Sequence, residues 1–302
     1  MPSRIIRKGG TMRRKSYIFF ILPALIMILV FVYLPIVQNF YFSFFKMSSY
    51  SPTRQFVGLS NYRMIFEDDV FYISLRNNTL YAVISVICQV GFGMLLAIIL
   101  EGSFIGRKLR VFFRNVYFMP SLLSVTAVGL MFYFIYNPNI GLLNGILERI
   151  GMGHLKTAWL GNPKTAIYAV IAMSQWQYTG YIMVLLLVAI QKIPHEQYEA
   201  AEIDGASSFK KAIHITIPGI RDMITVCTVI TVIGAFKLFT EIYVMTQGGP
   251  YNRTQVLGTF MYRAAFAYDE MGYGSAIAVI IFAITFLASL VQIKFAYKGR
   301  NN

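Results

Sequence analysis

The chain of 302 residues is poor in the residues that build disulfide frameworks and metal sites, with 2 cysteines and 3 histidines. Cys88 and Cys227 both lie within apolar runs, where a thiol behaves as a small apolar side chain. His154, His195 and His214 are too dispersed along the chain to predict a metal site. The sequence also has no His-Glu-x-x-His motif, no paired carboxylates in its apolar runs and no phosphate-binding Gly-rich loop. These absences exclude a disulfide framework and disfavour a metal centre or an enzyme active site on this chain.

Charged residues are also scarce, at 13% of the chain, whereas 57% of its residues are hydrophobic. This composition is too apolar for an ordinary soluble domain. Crossing a bilayer takes about 20 apolar residues, and six runs are long enough: 17–37, 77–100, 115–136, 165–190, 223–243 (interrupted by Lys237) and 273–293. The first run is too long for a signal-peptide core and no small-residue cleavage site follows it, so we expect it to remain as an anchor. The sequence therefore predicts an all-α integral membrane protein with six transmembrane helices.

The basic residues indicate the orientation of the chain in the membrane. The two ends, the second loop and the fourth loop together hold roughly twice as many Lys and Arg residues as the other three loops. Because such residues stay on the cytoplasmic side of span ends, both termini are predicted to be cytoplasmic. This bias and attraction to anionic lipids account for the net charge of +14. A nucleic-acid partner is disfavoured because no basic patch lies on a soluble domain. We divide the chain into a basic cytoplasmic tail, 1–16, and one membrane domain, 17–302.

A polar segment, residues 191–222, separates the fourth and fifth apolar runs. Its central part, 199–218, reads EAAEIDGASSFKKAIHITIP. Gly205 can take the left-handed conformation that ends a helix, and Ser207 or Ser208 can cap the next helix. The segment therefore predicts an exposed helix–turn–helix on the membrane surface, and such a projection between two spans needs a partner.

The same segment resembles the EAA coupling loop of ABC-importer permeases. The pattern is Glu-Ala-Ala, three residues, Gly205, nine residues, Ile215, one residue and Ile217-Pro218, with Ile217 where that family usually has Leu. Six segments follow one another as in the sugar-type permeases related to the maltose and lactose importers: VGLSNYRMIF (57–66), NPNIGLLNGIL (137–147), WLGNP (159–163), YEAAEIDGAS (198–207), IYVMTQGGP (242–250) and MGYGSAIAV (271–279).

This resemblance implies a type I ABC-importer permease fold in its compact six-span form, located in a prokaryotic cell membrane. It implies an ATP-driven carbohydrate importer made with a second six-span permease, as a heterodimer, two ATPase subunits and an extracytoplasmic sugar-binding protein. ATP and Mg²⁺ are expected on the ATPase, with no cofactor on this chain. The resemblance implies that residues 191–222 (the coupling loop) contact the ATPase through seven positions: Glu199, Ala200, Ala201, Asp204, Gly205, Ile215 and Pro218.

The fourth run has a polar face near its middle. Ser174, Gln177, Tyr178 and Tyr181 follow helical spacing, so they share one side of the helix. Polar groups at this depth are costly toward lipid and should face a cavity or another helix. Tyrosine rings stack on sugars, and amides and hydroxyls bond to sugar hydroxyls. The face predicts a substrate cavity, although hydrogen bonds between helices are the alternative, particularly for Ser174.

The fifth run adds weaker candidates for the substrate pathway. Thr231 is one of several small residues that could instead permit close helix packing. Lys237 is an ionisable residue near the middle of a span and therefore a functional candidate. It could equally pair with Glu241, four residues later, or extend its long side chain toward the interface.

The loop after the fifth run carries Gln247, Gly248, Gly249 and Pro250. The two glycines permit close approach of another surface, and the proline limits collapse of the loop. In the family that the chain resembles, this loop contacts the docked binding protein, so we expect the same of these four residues. The alternative is a plain connection, because such residues are common in loops.

A secondary transporter or another polytopic protein not driven by ATP is the competing interpretation. Such a transporter would more often have carboxylates within its spans and paired repeats with broken helices. The spans of this chain offer Glu241 alone, and no internal repeat is evident. The coupling loop would also be left without a purpose, so the importer interpretation is favoured.

Overall fold

The computed structural model describes residues 12–51, 53–102 and 105–298. Residues 1–11, most of the predicted basic tail, therefore lie outside the described part. The first span consists of α1 (Met12–Ile28) and α2 (Leu34–Phe42), joined by a π-helical turn. Two short antiparallel strands follow, β1 (Phe45–Lys46) and β2 (Gln55–Phe56), with Phe45 opposite Phe56. They lead into α3 (Ser60–Glu67).

The second span begins eight residues before the predicted run, at the start of α4 (Asp69–Ser85). The Asp68 carboxylate accepts a hydrogen bond of 2.8 Å from the backbone N–H of Val70, which satisfies a donor that the first helical turn leaves free. This cap explains the early start. A π-helical turn, Val86–Phe92, then continues the span into α5 (Gly93–Glu101).

The third span is broken, whereas the sequence predicts one uninterrupted run over 115–136. It consists of α6 (Arg107–Phe118), a 3₁₀ turn and α7 (Val125–Ile135), and the two parts meet at 97°. Pro120 lies in the turn, where it cannot donate the backbone hydrogen bond that a continuous helix needs. The chain then forms α8 (Leu142–Arg149).

The fourth span, α9 (Ala166–Ile190), is continuous and the most buried of the spans that run as single helices. The coupling loop follows as α10 (His195–Ile203), α11 (Ser208–Lys211), a π-helical turn and α12 (Ile217–Gly219). We call α10 the first arm of the coupling loop and Ser208–Gly219, from α11 to α12, its second arm. A bend of 69° separates the second arm from α13 (Arg221–Phe236).

The fifth span ends earlier than predicted. Its helix stops at Phe236, and an exposed Lys237 precedes a short separate helix, α14 (Thr240–Met245). The prediction that the span continues past Lys237 to residue 243 is therefore wrong for the helix, which ends at Phe236. The chain continues through α15 (Leu257–Tyr262) and a π-helical turn to the last span, α16 (Met271–Lys298).

In the described part of the chain, four helices are long and apolar enough to cross a membrane, and there are six such spans if each bent pair is one. The predicted cytoplasmic loops lie together, since Arg110 and Gln191 both bond to Glu101. The predicted external segments lie together at the opposite end, where Asn77 bonds to the backbone of Arg253. This arrangement is consistent with the predicted orientation.

Candidate substrate cavity, coupling loop and outer loop

The break in the third span is fixed against the middle of α9. The Gln177 side-chain amide donates a hydrogen bond of 3.1 Å to the backbone carbonyl of Leu123, at the break itself. Gly180 allows the backbone at Tyr117 to approach α9 so closely that any side chain at Gly180 would overlap the Tyr117 carbonyl. The break therefore leaves room beside α9 instead of a helix packed along its whole length.

A cavity of about 400 Å³ lies beside α9, between the second, third and fifth spans. Its walls come from α4, the following π-helical turn, the 3₁₀ turn of the third span, α9, α13 and α14. The lining residues are Tyr81, Gln89, Ser121, Tyr178, Tyr181, Ile182, Ile230, Thr231, Gly234, Ala235, Leu238 and Glu241. The volume is within the range of pockets that hold small organic ligands, about 300–1,000 Å³.

The polar groups of the cavity are few and specifically placed. The Tyr178 hydroxyl donates to the Glu241 carboxylate over 3.4 Å, which joins α9 to α14 across the cavity wall. The Thr231 hydroxyl is buried and has no hydrogen-bond partner within the described residues. Tyrosine faces, hydroxyls, the Gln89 amide and one carboxylate can together stack on a polyhydroxylated ring and bond to its hydroxyls.

The structure separates the predicted substrate-pathway residues into two groups. Tyr178, Tyr181 and Thr231 line the cavity. Ser174 and Gln177 are fully buried and do not line it, and Gln177 instead forms the interhelical bond described above.

Lys237 also lies outside the lining of the cavity. It is exposed just after the end of α13, and the described residues include no ion pair between Lys237 and Glu241. The expected pairing of these two residues is therefore absent. The end of the helix at Phe236 breaks the regular four-residue spacing on which that expectation depends.

Four polar lining residues were not among the predicted site residues: Tyr81, Gln89, Ser121 and Glu241. Glu241 is 7% exposed and Gln89 is 5% exposed. An amide within an apolar run is a usable signal, because such groups are costly toward lipid. Ser121 offers no such signal, since only the break at Pro120 brings it to the cavity.

The first arm of the coupling loop ends as its sequence predicts. Gly205 has a φ of 72°, the left-handed conformation that favours glycine. Its N–H bonds to the carbonyl of Glu202 at 3.0 Å, and the N–H of Ala206 bonds to the carbonyl of Ala201 at 2.8 Å. This pair of bonds closes the helix end and turns the chain into the second arm.

Side-chain bonds hold the two arms together. The Ser207 hydroxyl accepts from the N–H of Lys210 and caps the second arm, and the hydroxyls of Tyr198 and Thr216 lie 2.9 Å apart. The Lys211 ammonium is 2.6 Å from the Glu202 carboxylate, and this hydrogen bond lowers the pKa of Glu202 below its ordinary value. The loop is thus a defined helix–turn–helix.

The coupling loop exposes a surface that the rest of this chain leaves uncovered. Ile203 is 88% exposed and Phe209 is 74% exposed, although both are large apolar side chains. Of the seven predicted contact positions, five are exposed and two are half-buried: Glu199, Ala200, Asp204, Gly205 and Pro218, then Ala201 and Ile215. Apolar groups presented together among polar ones are typical of a protein-binding surface.

The loop after α14, residues 246–255 (the outer loop), is bonded to the second span by a buried side chain, that of Asn77. The Asn77 amide donates to the carbonyls of Arg253 and Gln255, each at 2.8 Å. Gly248 is buried with a φ of 85°, and a Cβ there would lie 2.5 Å from the Gln255 side chain.

The four predicted binding-protein contacts in this loop are not equally accessible. Gln247 is exposed, Gly249 and Pro250 are half-buried, and Gly248 is buried. Gly249 and Pro250 line an external cavity of about 380 Å³ together with Tyr136 and Pro138. Gly248 therefore shapes the loop, whereas its neighbours reach the surface.

Comparison with known proteins agrees with this architecture. The family described as "binding-protein-dependent transport system inner membrane component" matches residues 89–296, and the chain belongs to this family. It is 50% identical to a probable ABC transporter permease, YurN, of Bacillus subtilis, over 93% of this chain and 96% of that protein. It is also 35% identical to the diacetylchitobiose uptake permease NgcF of Streptomyces coelicolor, over 94% and 85%. The prediction of a transport subunit instead of an enzyme is confirmed.

The fold matches a bacterial ABC transporter that imports the acidic polysaccharide alginate. One solved structure has a TM-score of 0.84 and 21% identity and covers 95% of this chain and 97% of that chain. Another, in complex with a periplasmic protein that holds an alginate pentasaccharide, has a TM-score of 0.81 and 22% identity and covers 96% of each chain. The predicted ABC-importer permease fold is thereby confirmed. The chain is a helical membrane permease of a binding-protein-dependent transporter in a prokaryotic membrane.

Proposed function

We propose that this permease carries a carbohydrate through the cavity beside α9. The observation that carries the proposal is the lining itself, in which Tyr81, Tyr178 and Tyr181 surround an amide, hydroxyls and one carboxylate. Similar permeases support the substrate class, because relatives are named for the uptake of diacetylchitobiose and, in Bacillus subtilis, of arabinooligosaccharides.

Within this class, a neutral sugar fits the cavity better than an acidic one. Glu241 is the ionisable carboxyl of the lining, and no Lys, Arg or His side chain is among the lining residues of the described chain. The carboxyl group of Glu241 can bond to sugar hydroxyls, whereas the described lining, without Lys, Arg or His, offers no opposite charge to an acidic sugar or a sugar phosphate. The positions Gly234 and Ala235 are small, which leaves room for more than one ring.

Uptake by the complete transporter in vesicles, supplied with its binding protein, tests this proposal. Tyr178→Ala removes a ring and the bond to Glu241, and it should lower the efficiency of uptake roughly tenfold. Tyr168→Ala, on the same helix, is the matched control, because Tyr168 is 51% exposed and outside the cavity. Equal uptake by both variants would exclude this cavity as the pathway. A panel of neutral and acidic sugars on the binding protein, read by thermal shift, tests the substrate class.

The coupling loop is proposed as the site at which a cytoplasmic ATPase acts on this permease. The exposed Ile203 and Phe209 supply apolar contacts, and Glu199 and Asp204 lie exposed where basic groups of a partner could reach them. The complete importer would hold a second six-span permease and two ATPase subunits that bind ATP and Mg²⁺. The mass of the intact complex checks this composition, and a complex without an ATPase would contradict it.

The outer loop is proposed to contact the binding protein through Gln247, Gly249 and Pro250. These residues reach the external surface beside a cavity, and the Thr254 hydroxyl donates a hydrogen bond of 2.6 Å to the carbonyl of Gly249. Gln247→Ala should weaken the stimulation of ATP hydrolysis by the loaded binding protein and leave basal hydrolysis unchanged. Unchanged stimulation over a range of binding-protein concentrations would reduce this loop to a connection.

A further inference from the structure

A basic pocket lies between α6 and the end of α9, apart from the substrate cavity and beside Gln191, the first residue of the coupling loop. Its volume is about 450 Å³. The lining residues are Arg107, Arg110, Val111, Arg114, Leu187 and Gln191. We call this set the arginine pocket. Three guanidinium groups around one cavity are unusual in a chain with so few charges, and none of them has a part in the transport pathway described above.

The three arginines share one face of α6, because they are three and four residues apart. Arg110 is committed to the protein: it bonds to the Glu101 carboxylate at 3.3 Å and to the carbonyls of Glu101 and Gly102. Gln191 bonds to the same carboxylate at 3.4 Å. Glu101 therefore fixes the wall of the pocket and neutralises one positive charge.

Arg107 and Arg114 have no acidic partner among the described residues. Two guanidinium groups held near each other repel, and an anion between them relieves that repulsion. Guanidinium groups also match the geometry of phosphate oxygens, with two parallel N–H donors each. The chemistry of the pocket thus favours a phosphate-bearing ligand with about two positive charges to neutralise.

The surroundings of the pocket identify the source of that phosphate. The pocket lies where α9 ends, on the side of the predicted cytoplasmic loops. The apolar Val111 lies on the same face of α6 as the arginines, lines the pocket and is 50% exposed, and Leu187 of α9 also lines it. A phospholipid meets both conditions at once, since its headgroup is anionic and its acyl chains can cover these apolar side chains.

We propose that the arginine pocket binds the headgroup of an anionic phospholipid of the cytoplasmic leaflet. The phosphate lies between Arg107 and Arg114, and the acyl chains begin over Val111. Because α6 leads directly to the break at Leu123, a bound lipid holds the cytoplasmic half of the third span in place. The inference depends on the fold and not on the identity of the transported sugar.

Native mass spectrometry of the assembled transporter tests the proposal. The complex is purified from nanodiscs of equimolar phosphatidylglycerol and phosphatidylcholine, and the lipids retained by it are counted. The wild-type complex should retain phosphatidylglycerol preferentially. The double variant Arg107→Gln/Arg114→Gln should lose that preference by roughly tenfold or more. Arg110 is left intact because its bonds to Glu101 support the fold.

A charge-matched control separates a site from general attraction. Lys108→Gln/Lys192→Gln removes the same charge on the same side, from exposed residues that do not line the pocket. The proposal is supported if the control retains as much phosphatidylglycerol as the wild type and the arginine variant does not. Equal retention in the arginine variant, or equal loss in both variants, would overturn it. So would binding of inorganic phosphate by a wild-type complex that shows no preference for phosphatidylglycerol, since that result would identify a site for free phosphate.

Discussion

The coupling loop and the outer loop are both proposed to meet partner proteins, but they are built in opposite ways. The coupling loop is held by its own helix caps and presents exposed apolar side chains such as Ile203 and Phe209. The outer loop also exposes a large side chain, Tyr251, but the buried Asn77 amide of the second span holds its backbone. The arms of the coupling loop are thus held mainly by bonds within the loop, whereas the outer loop is held by bonds to the second span.

The glycines of the two loops show the same difference. Gly205 and Gly248 both have a positive φ, but a Cβ on Gly205 would meet open space and a Cβ on Gly248 would meet Gln255. The turn at Gly205 can thus be altered without disturbing the bundle, whereas position 248 cannot. A substitution at the turn of the coupling loop should therefore affect transport, and a substitution at Gly248 in the outer loop should affect stability. Three substitutions test this difference.

Gly205→Glu should have the largest effect on transport. The left-handed conformation costs a non-glycine residue roughly 1–2 kcal/mol, which the bundle tolerates. A charged side chain at the exposed turn, however, would obstruct the proposed ATPase contact. Uptake and stimulated ATP hydrolysis should fall to background, with normal abundance in the membrane and an unchanged melting temperature of the permease.

The matched control for this position is Gly205→Asn, because asparagine adopts the left-handed conformation more readily than other side chains. It should retain most of the uptake activity. Normal uptake by Gly205→Glu would remove the coupling role from this loop. A large drop in its melting temperature would show instead that the loop is part of the core.

Gly248→Ala should mainly lower the stability of the permease. The new methyl group would press on Gln255, which is fully buried, and the backbone would be strained by its φ of 85°. Strain and overpacking together should cost roughly 2–4 kcal/mol. Thermal denaturation of the purified protein in detergent measures this, with Gly249→Ala as the milder neighbour, since its Cβ would lie 3.2 Å from the Thr246 carbonyl. Equal melting temperatures for the two variants would contradict the described packing.

Ser207→Ala should have the smallest effect, confined to the second arm of the coupling loop. Loss of the cap costs about 1 kcal/mol of local helix stability. Amide exchange at Lys210 and Lys211 should therefore accelerate roughly fivefold, while the melting temperature stays constant. Ser208→Ala is the control, because Ser207 is the residue whose hydroxyl accepts from the N–H of Lys210. Acceleration across the whole bundle would contradict the autonomy of this loop.

The local features of the fold are those that the sequence predicts well. Gly205 and Ser207 act through bonds within three or four residues, so their effect can be deduced from spacing alone. The continuous span α9 follows from composition for the same reason. Such features depend on neighbours in the chain and not on the rest of the bundle.

The candidate cavity depends on contacts between distant segments, and there the sequence is less informative. Helical spacing places Gln177 and Tyr178 on the same broad face, but packing against the broken third span buries one and exposes the other to the cavity. Glu241 reaches the cavity because α13 stops at Phe236 and α14 begins again. Pro120 is a local signal for the first break, but hydropathy records neither break nor the side chains that each break brings to the cavity.

The first span has a consequence for how the chain is assembled during synthesis. The most apolar part of this span, within Phe20–Phe42, has no residue buried inside the chain. The contacts of the span with the rest of the chain lie at its outer end. There Asn39 donates to the carbonyl of Ser275 and Phe40 packs edge-on against Phe282, both in α16. The first helix to be synthesised can therefore make these contacts only after the last helix has been synthesised. A chain that stops before α16 would leave Asn39 and Phe40 of the first span without these two contacts.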